Sequence, residues 1–313
     1  MTPFALHIDK TLVLGTRGSP LALAQAHELA GRLAHSSGRP VSQFPLSIIK
    51  TTGDSIQDRA LSEAGGKGLF TKEIDAAQLA GQVDIAVHSS KDLPTELPVG
   101  LVIAGYLPRE DARDALIARG PLSSLAALRQ GAHIGSASLR RQAIMKRARP
   151  DCAVSLLRGS VGTRLDKVMA GQFDATLLAL AGLRRLGLAD RASLILSTDE
   201  MLPAVGQGAI GLVVRANDQQ ALMAAEAVCC TETAAAVSAE RAMLKVLDGS
   251  CRTPIAGHAT LEGSILTLRG LILSPDGSGV ADDIIIGSAQ DANSLGTELG
   301  HRLRARAPAG VYG

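Results

Sequence analysis

The chain has 313 residues, of which 46% are hydrophobic and 20% charged, and this length predicts two or three domains rather than one core. No apolar stretch is long and charge-free enough to suggest a membrane span, and the first ten residues lack a secretory signal pattern, so a cytoplasmic protein without a membrane partner is expected. The net charge is only +2, yet residues 129–191 hold ten arginines and two lysines against four aspartates, a net charge of +8 that predicts an anionic partner. With four phenylalanines, two tyrosines and no tryptophan, the chain offers few platforms for stacking bases, which favours a small molecule with several carboxylates or phosphates over nucleic acid.

The first third of the chain predicts alternating strands and helices, which is typical of an α/β domain. The predicted strands span residues 11–15, 46–51 and 83–87, and the predicted helices span 20–33 and 70–80. Ser19 is the expected N-cap of the first helix, with Pro20 at its first position. Arg17 lies in the turn before that cap, where free backbone N–H groups favour an anion.

Polar residues also follow the third predicted strand. Lys91 and Asp92 come shortly after it, and ligands of open α/β sheets bind beyond the carboxyl ends of the strands. Asp92 is therefore a candidate catalytic carboxylate, and a plain surface ion pair with Lys91 is the alternative. The segment 53–68 lacks the spacing of a phosphate-binding P-loop and predicts either a lid over a cleft or a long loop.

The strand–helix pattern starts again near residue 111. Its predicted strands span residues 115–118, 132–135, 154–157 and 175–181, and a helix is predicted over 122–130. Arginines follow three of these strands, at Arg140, Arg141, Arg158, Arg164 and Arg185. Arginine binds carboxylates through two parallel hydrogen bonds, so this pattern favours an anion-binding cleft, with a solvated basic face as the alternative.

After residue 202 the chain is predicted to return to the first domain and then form a small α+β domain. The predicted elements are a strand over 212–215, a helix over 233–247, strands over 255–261, 265–273 and 283–288, and a last helix over 292–304. Glycines 206 and 208 suit a hinge or a close backbone approach, and Gln207 between them is a candidate ligand contact. The expected domains are residues 1–108 with 206–227, residues 109–205, and residues 228–313.

One cysteine stands in a turn, within Gly249-Ser250-Cys251-Arg252-Thr253-Pro254. A neighbouring arginine favours the thiolate, which is the nucleophilic form, although a buried and inert cysteine is the ordinary alternative. The other three cysteines, Cys152, Cys229 and Cys230, show no spacing typical of a metal site.

These segments together resemble the porphobilinogen deaminase (hydroxymethylbilane synthase) family. The matching motifs are Gly15–Ala22, Gly65–Phe70, His88–Pro94, Gly135–Arg141, Leu157–Arg164, Leu202–Gly208 and Gly249–Pro254. The resemblance implies an α/β fold with two periplasmic-binding-protein-like domains linked by two crossover segments, plus a C-terminal α+β domain. It also implies a monomeric transferase that condenses four porphobilinogen molecules, with loss of ammonia, onto a primer and releases hydroxymethylbilane.

The same resemblance implies a role for each candidate residue. Cys251 would carry a dipyrromethane cofactor through a thioether, and Asp92, with Lys91, would be catalytic. The implied cofactor contacts are Ser19, Lys91, Ser138, Arg140, Arg141, Arg164 and Arg185. The implied substrate contacts are Arg17, Ser19, Phe70, Arg158, Arg164 and Gln207.

Two other function classes stay open at this point. A bilobed solute-binding or effector-sensing protein would use a similar cleft and need no thiol. A cysteine acyl transferase or hydrolase would pair Cys251 with His258, which requires the two side chains within hydrogen-bond reach.

Overall fold

A computed structural model of the chain describes residues 10–55, 68–247, 253–309 and 311. These residues form two compact units. The first unit contains residues 10–55, 68–109 and 209–234, and the second contains residues 110–208, 235–247, 253–309 and 311. The chain thus leaves the first unit near residue 109, returns near 209 and leaves again near 234. The division into three domains stays a prediction.

The described residues alternate between strands and helices. The strands are β1 (Leu14–Thr16), β2 (Leu46–Ile48), β3 (Ile85–Ser89), β4 (Leu101–Tyr106), β5 (Asp114–Ala118), β6 (His133–Gly135), β7 (Ala153–Ser155), β8 (Ala175–Ala179), β9 (Leu194–Ile195), β10 (Ile210–Arg215), β11 (Ile255–Glu262), β12 (Ile265–Leu273) and β13 (Val280–Ser288). The α-helices are α1 (Pro20–Ser37), α2 (Thr52–Ser55), α3 (Lys72–Leu79), α4 (Leu139–Ala148), α5 (Val161–Met169), α6 (Leu180–Arg185), α7 (Gln219–Glu226), α8 (Thr231–Val246) and α9 (Ala292–Ala305).

The first unit is built on a five-stranded sheet in the order β2-β1-β3-β10-β4. β1, β2 and β3 are parallel, and β10 runs antiparallel to β3 and β4. Leu29 of α1 and Ala224 of α7 pack on one face of this sheet, and Ile74 of α3 packs on the other. Both faces are therefore covered, as expected of a sheet with parallel strands.

The second unit contains a sheet with the same pattern, in the order β7-β6-β8-β5-β9. β6, β7 and β8 are parallel, and β5 runs antiparallel to β8 and β9. A separate antiparallel sheet, β11-β12-β13, packs against α8 and α9, with Leu268 and Leu299 in its core. Leu271 and Leu273 of β12 join the core of the α/β part of this unit. The predicted fold class, α/β with a small C-terminal α+β part, is confirmed.

One predicted helix is wrong. Residues 122–130 contain only a short 3-10 turn, Leu125–Ala127, and Leu128 continues in an extended conformation. Leu125 and Leu128 are buried, so their three-residue spacing marks core contacts and not an α-helix. The Arg149 side chain donates hydrogen bonds to the Leu125 carbonyl at 2.6 Å and the Leu128 carbonyl at 3.2 Å, which replaces bonds that a helix would make internally.

Other differences concern the ends of predicted elements and the elements that were not predicted. The predicted strand over 175–181 ends at Ala179, because α6 begins at Leu180. Five elements, β4, β9, α2, α6 and α7, have no counterpart among the predicted elements. No single helix in the described residues is long and apolar enough to cross a membrane. α7 and α8 together have the length and composition of a membrane span, but the chain bends by 106° between them.

Candidate functional site

The predicted site residues of the first unit meet at one edge of its sheet. Because β1, β2 and β3 are parallel, their carboxyl ends lie at the same edge. Arg17 follows β1, Asp54 lies on α2 after β2, and Asp92 ends a 3-10 helix, Ser90–Asp92, after β3. This edge therefore gathers a guanidinium group and two carboxylates from three separate segments.

The guanidinium group of Arg17 lies between these two carboxylates. Its Nε donates to both Asp54 oxygens, at 3.1 and 3.2 Å, and its Nη2 also donates to Asp54. Its Nη1 lies 3.7 Å from Asp92 Oδ2, an ion pair without a hydrogen bond. The centre of the guanidinium group lies 4.1 Å from the Phe70 ring centroid, which is a cation–π distance. Asp54 was not among the residues predicted for this site.

Hydrogen bonds at this edge fix the pKa of Asp54. Partial burial by itself raises the pKa of this carboxyl, but hydrogen bonds from Arg17 and Thr51 outweigh burial and lower it below its ordinary value. The Thr51 hydroxyl donates to Asp54 Oδ2 at 2.8 Å. Asp54 therefore carries a full negative charge beside Arg17 at neutral pH.

The supporting residues have defined positions. The Ser19 hydroxyl accepts from the Ala22 amide at 3.3 Å and caps α1, as predicted. Lys91 lies exposed on the 3-10 helix beside Asp92. Phe70 precedes α3 and reaches the face of Arg17, so the structure brings Arg17, Phe70 and Asp92 together.

A buried histidine lies behind this edge. His88 of β3 is 4% exposed, and its Nε2 has no hydrogen-bond partner among the described residues. Burial, with a smaller contribution from the charge of Arg17, lowers the pKa of His88 to about 4. His88 is therefore neutral at physiological pH. His88 was not among the predicted site residues, because in sequence it looks like any polar residue near the end of a strand.

The second unit gathers its predicted arginines in the same way. β6, β7 and β8 are parallel, so α4, α5 and α6 start from one edge of the sheet. Ser138 caps α4 and Ser160 caps α5 through their side-chain oxygens. The helices and the turns before them carry the five arginines predicted for this half, Arg140, Arg141, Arg158, Arg164 and Arg185.

Two of these arginines are paired with a buried aspartate that was not among the predicted site residues. Asp114, at the start of β5, is 0% exposed and accepts from Arg140 Nη2 and Arg141 Nη2, each at 2.6 Å. The Nη1 atoms reach carbonyls, that of Arg140 the Leu202 carbonyl at 2.6 Å and that of Arg141 the Leu177 carbonyl at 2.8 Å. Arg141 Nε also donates to Asp114, at 3.2 Å, whereas Arg140 Nε is buried without a hydrogen-bond partner among the described residues. Burial raises the pKa of Asp114, but the two arginines outweigh it and bring the pKa to about 2.

Gln207 belongs to the same buried group. Its Nε2 donates to Asp114 Oδ1 at 3.0 Å and to the Ala112 carbonyl at 2.6 Å. The glycines beside it adopt the left-handed conformation, with φ of 70° at Gly206 and 89° at Gly208. The segment around Gln207 is thus held by a polar network in which Asp114 is the common acceptor.

The other three arginines are half-buried, and two of them use backbone acceptors for some of their donors. Arg164 Nε donates to the Gly159 carbonyl at 3.0 Å, and Arg185 Nη1 donates to the Gly208 carbonyl at 3.0 Å. Arg158 lies in the turn between β7 and α5, just before the Ser160 cap. Partly exposed guanidinium groups, two of them near the N-terminus of α5, are a donor set that fits a ligand with several carboxylates.

Two predicted features lie outside the described residues. They are Cys251 with its turn and the glycine-rich part of the segment 53–68 before Gly68. The distance between Cys251 and His258 is therefore not defined, although His258 itself lies in β11. Within the described ranges, no group of three or more His, Cys, Asp or Glu side chains could hold a metal ion.

Known proteins resemble the chain over nearly its full length. The family model "Porphobilinogen deaminase, dipyromethane cofactor binding domain" matches residues 12–223, and "Porphobilinogen deaminase, C-terminal domain" matches residues 234–305. A porphobilinogen deaminase of Nitrobacter winogradskyi is 53% identical over 301 residues, covering 96% of this chain and 94% of that protein. One from Paracoccus denitrificans is 52% identical over 299 residues, covering 96% and 95%.

Among solved structures, a periplasmic solute-binding protein of Pseudomonas putida aligns at 12% identity with a TM-score of 0.39, covering 70% of this chain and 77% of that one. The family is shown by the sequence matches, which span both units and the predicted site residues from Arg17 to Gln207. The chain belongs to the porphobilinogen deaminase family.

Proposed function

We propose that this enzyme condenses four porphobilinogen molecules, with loss of ammonia, and releases hydroxymethylbilane, with Asp92 as its catalytic carboxylate. The observation that carries the proposal is the edge of the first sheet, where Asp92 lies 3.7 Å from Arg17 and is partly exposed. The match to the family along the whole chain supports the reaction.

Asp92 suits a reaction in which a cation develops. Loss of ammonia from porphobilinogen leaves an electron-poor pyrrole with positive charge on the ring and its methylene carbon. A carboxylate fixed beside that ring stabilises the developing charge and accepts a proton from it afterwards. Lys91, exposed on the same 3-10 helix, supplies a second charge at the mouth of this site.

The arginines suit the acetate and propionate groups of the pyrroles. Each added ring brings two carboxylates, so a growing chain needs several cationic contacts. We assign Arg158, Arg164 and Arg185 to direct contacts, because they are half-buried at the carboxyl edge of the second sheet. Arg17 and Phe70 are assigned to the substrate, and the helix caps Ser19 and Ser138 support the backbone that surrounds these groups.

Arg140, Arg141 and Gln207 are assigned to the cofactor and substrate surroundings in a different way. Most of their donors are engaged with Asp114 and with backbone carbonyls, and Arg140 Nε is the exception among those that the structure describes. With Asp114, these side chains form a hydrogen-bonded cationic cluster. Its net charge is +1, because two arginines face one aspartate. Such a cluster attracts carboxylates at short range, and neither arginine needs to make a bidentate hydrogen-bonded contact with the ligand.

The dipyrromethane cofactor fits the chemistry of this donor set. When bound, it supplies a tethered pyrrole whose terminal α-carbon is the nucleophile of the first condensation. Cys251 is the assigned point of attachment, outside the described residues, and Arg164 and Arg185 would hold carboxylates of the cofactor. The remaining work falls on residues of the chain, which orient the rings and move protons at Asp92.

Intact-mass spectrometry tests the proposal. The purified wild-type enzyme should carry a stable adduct of two pyrrole units, and Cys251→Ser should show the bare polypeptide mass. Asp92→Asn should keep the adduct but lose nearly all turnover of porphobilinogen, about a hundredfold or more.

The same measurement separates the two other function classes. A solute-binding protein predicts the bare mass in the wild type. A cysteine acyl enzyme predicts an adduct that forms only with substrate and is released by hydroxylamine. Either result, or unchanged turnover in Asp92→Asn, would contradict the proposed function.

We further propose that the enzyme is a cytoplasmic monomer that binds neither nucleic acid nor membranes. The free state of Cys152, Cys229 and Cys230 supports a reducing compartment. Size-exclusion chromatography with light scattering should give the mass of a single chain.

A further inference from the structure

Asp54 occupies a defined part of the Arg17 side chain. It accepts from Nε and Nη2, which form one edge of the planar guanidinium group. Phe70 covers one face of the same group at 4.1 Å. The Nη1 corner points to Asp92 at 3.7 Å. Asp54, Arg17 and Asp92 are called the carboxylate–arginine triad below.

The position of Asp54 is built into the fold. α2 is joined to the segment before α3 by a hydrogen bond from the Gly53 amide to the Leu69 carbonyl at 2.8 Å. The Phe70 ring lies so close to Gly53 that any side chain at that position would overlap it. The Thr51 hydroxyl, in a residue only 1% exposed, holds the Asp54 carboxylate at 2.8 Å. Asp54 is therefore fixed from both sides and is not a surface residue that happens to meet an arginine.

The charges of the triad have a chemical consequence. One guanidinium against two carboxylates leaves a net charge of −1, with all three side chains between 20% and 29% exposed. Opposite charges in such partly buried surroundings interact more strongly than in bulk water. Without Asp54, Arg17 would neutralise Asp92. With Asp54, the charge of Arg17 is already matched, and Asp92 keeps its negative potential.

We propose that Asp54 is a positioning residue, which orients Arg17 and offsets its charge so that Asp92 presents a negative site to the cationic pyrrole formed when ammonia leaves. The inference rests on the proposed role of Asp92. It adds a residue that touches neither substrate nor cofactor and acts only through Arg17. It also assigns Arg17 a second task, since one edge of its guanidinium group stays available to a substrate carboxylate while the other is held by Asp54.

The test is a steady-state comparison of wild type, Asp54→Asn and Asp54→Glu with porphobilinogen. In Asp54→Asn, kcat should fall about tenfold or more, because Arg17 now cancels the potential of Asp92. KM should stay equal or fall, because the freed arginine binds a substrate carboxylate more readily. Asp54→Glu should recover at least part of kcat. The two-pyrrole adduct should remain in every variant by intact mass.

A purely structural role predicts a different pattern. In Asp54→Asn, KM would rise and the melting temperature would fall, and Asp54→Glu would restore neither KM nor the melting temperature. This pattern would overturn the inference. A kcat of Asp54→Asn within twofold of wild type would overturn it as well. If Asp54→Asn does not fold, Thr51→Val is the variant to measure, because it removes only the hydroxyl that holds the Asp54 carboxylate. Thr51→Val should lower kcat a few-fold at constant KM. An unchanged kcat in Thr51→Val would also overturn the inference.

A matched control is available on the surface. Glu298 of α9 pairs with Arg302 in the same carboxylate–guanidinium manner but far along the chain and exposed. Glu298→Gln should leave kcat and KM unchanged. If the wild type shows neither adduct nor turnover, the proposed function has failed. If the wild type is active and Asp54→Asn is unaffected, only the present inference has failed.

Discussion

At the scale of single residues, the arginines of the second unit fall into two groups that differ in burial. Arg140 and Arg141 are 4% and 6% exposed and share Asp114, whereas Arg158, Arg164 and Arg185 are half-buried. Removing one partner of a buried ion pair leaves a buried charge without compensation, which typically costs about 3–5 kcal/mol. Substitution of Arg140 or Arg141 therefore affects stability as well as ligand binding.

His88 makes the stability of the enzyme depend on pH. Its pKa is about 4 in the folded protein, against the ordinary 6.5 in the unfolded chain. Between these values the unfolded state binds a proton that the native state does not, so the free energy of unfolding falls as the pH falls, by about 1.4 kcal/mol per unit and about 3 kcal/mol in all. The contribution is complete above pH 6.5 and lost by pH 4. His88→Gln should flatten this dependence, which urea unfolding at pH 7.5, 6.5, 5.5 and 4.5 would measure.

A surface histidine provides the control for that measurement. His301 of α9 is exposed, and His301→Gln should leave the slope of stability against pH as in the wild type. Equal slopes for the wild type and His88→Gln would contradict the assignment of the pH dependence to His88.

Sequence patterns predicted the cations at both sheet edges but not their counter-charges. Arg17, Arg158 and Asp92 follow strands directly, so their place at the carboxyl ends could be predicted from local order. Asp54 and Asp114 lie 37 and 26 or more residues from the arginines they bind, and such pairs depend on strand order. A buried histidine such as His88 looks in sequence like any polar residue at the end of a strand.

At the scale of elements, the packing of α9 on α8 depends on glycine. A Cβ at Gly296 would overlap the Ala239 carbonyl oxygen of α8, a backbone atom that cannot move aside alone. Gly31 in α1 is exposed, and a Cβ added at that position would meet no side chain and no neighbouring element within 4 Å. The two glycines are both helical, and they differ in what surrounds them.

The matched substitutions should have opposite effects on stability. Gly296→Ala should lower the free energy of unfolding by about 1–3 kcal/mol, because the two helices must separate. Gly31→Ala should raise it by about 0.5–1 kcal/mol, because alanine is the better helix former and meets nothing. Thermal melting of both variants checks this, and a loss of stability in both, or in neither, would show that the helix contact does not control the difference.

Element prediction succeeded where local signals are complete. α1 has its serine cap, a proline at its first position and Gly38 at its end with φ of 68°, and its start was predicted correctly. The segment 122–130 misled because its leucine spacing fits a helix, while the acceptor groups are satisfied from Arg149, more than twenty residues away. A side chain that replaces helical hydrogen bonds leaves no local mark in the sequence.

At the scale of the whole molecule, each unit has its own hydrophobic clusters. Leu29 of α1 packs with Leu212 of β10, although 183 positions separate them along the chain. Leu268 of β12 lies in a different cluster, in the second unit. The backbone amides of residues 209–234 should therefore lose protection from hydrogen exchange together with the first unit and not with their neighbours in sequence.

Hydrogen exchange of a cavity variant tests this grouping. Leu29→Ala removes a fully buried side chain and should cost about 2–5 kcal/mol. Exchange should accelerate in β1, β3 and β10 alike, and stay unchanged in β5, β6 and β8. Leu268→Ala, which truncates an equally buried leucine, should act on the second unit, most strongly on β11–β13 with α8 and α9, and leave β1, β3 and β10 unchanged. Acceleration spread evenly over both units by either variant would contradict the grouping.

The internal position of β10 in its sheet also bears on how the protein is made. β10 lies between β3 and β4, yet residues 110–208 are translated before it. Until about residue 215 has left the ribosome, β3 and β4 present open edges with unmatched amides, whereas β5–β9 come from one continuous stretch. The nascent chain thus has all strands of its second sheet before those of its first, and the segment that emerges first is in the sheet that is completed last.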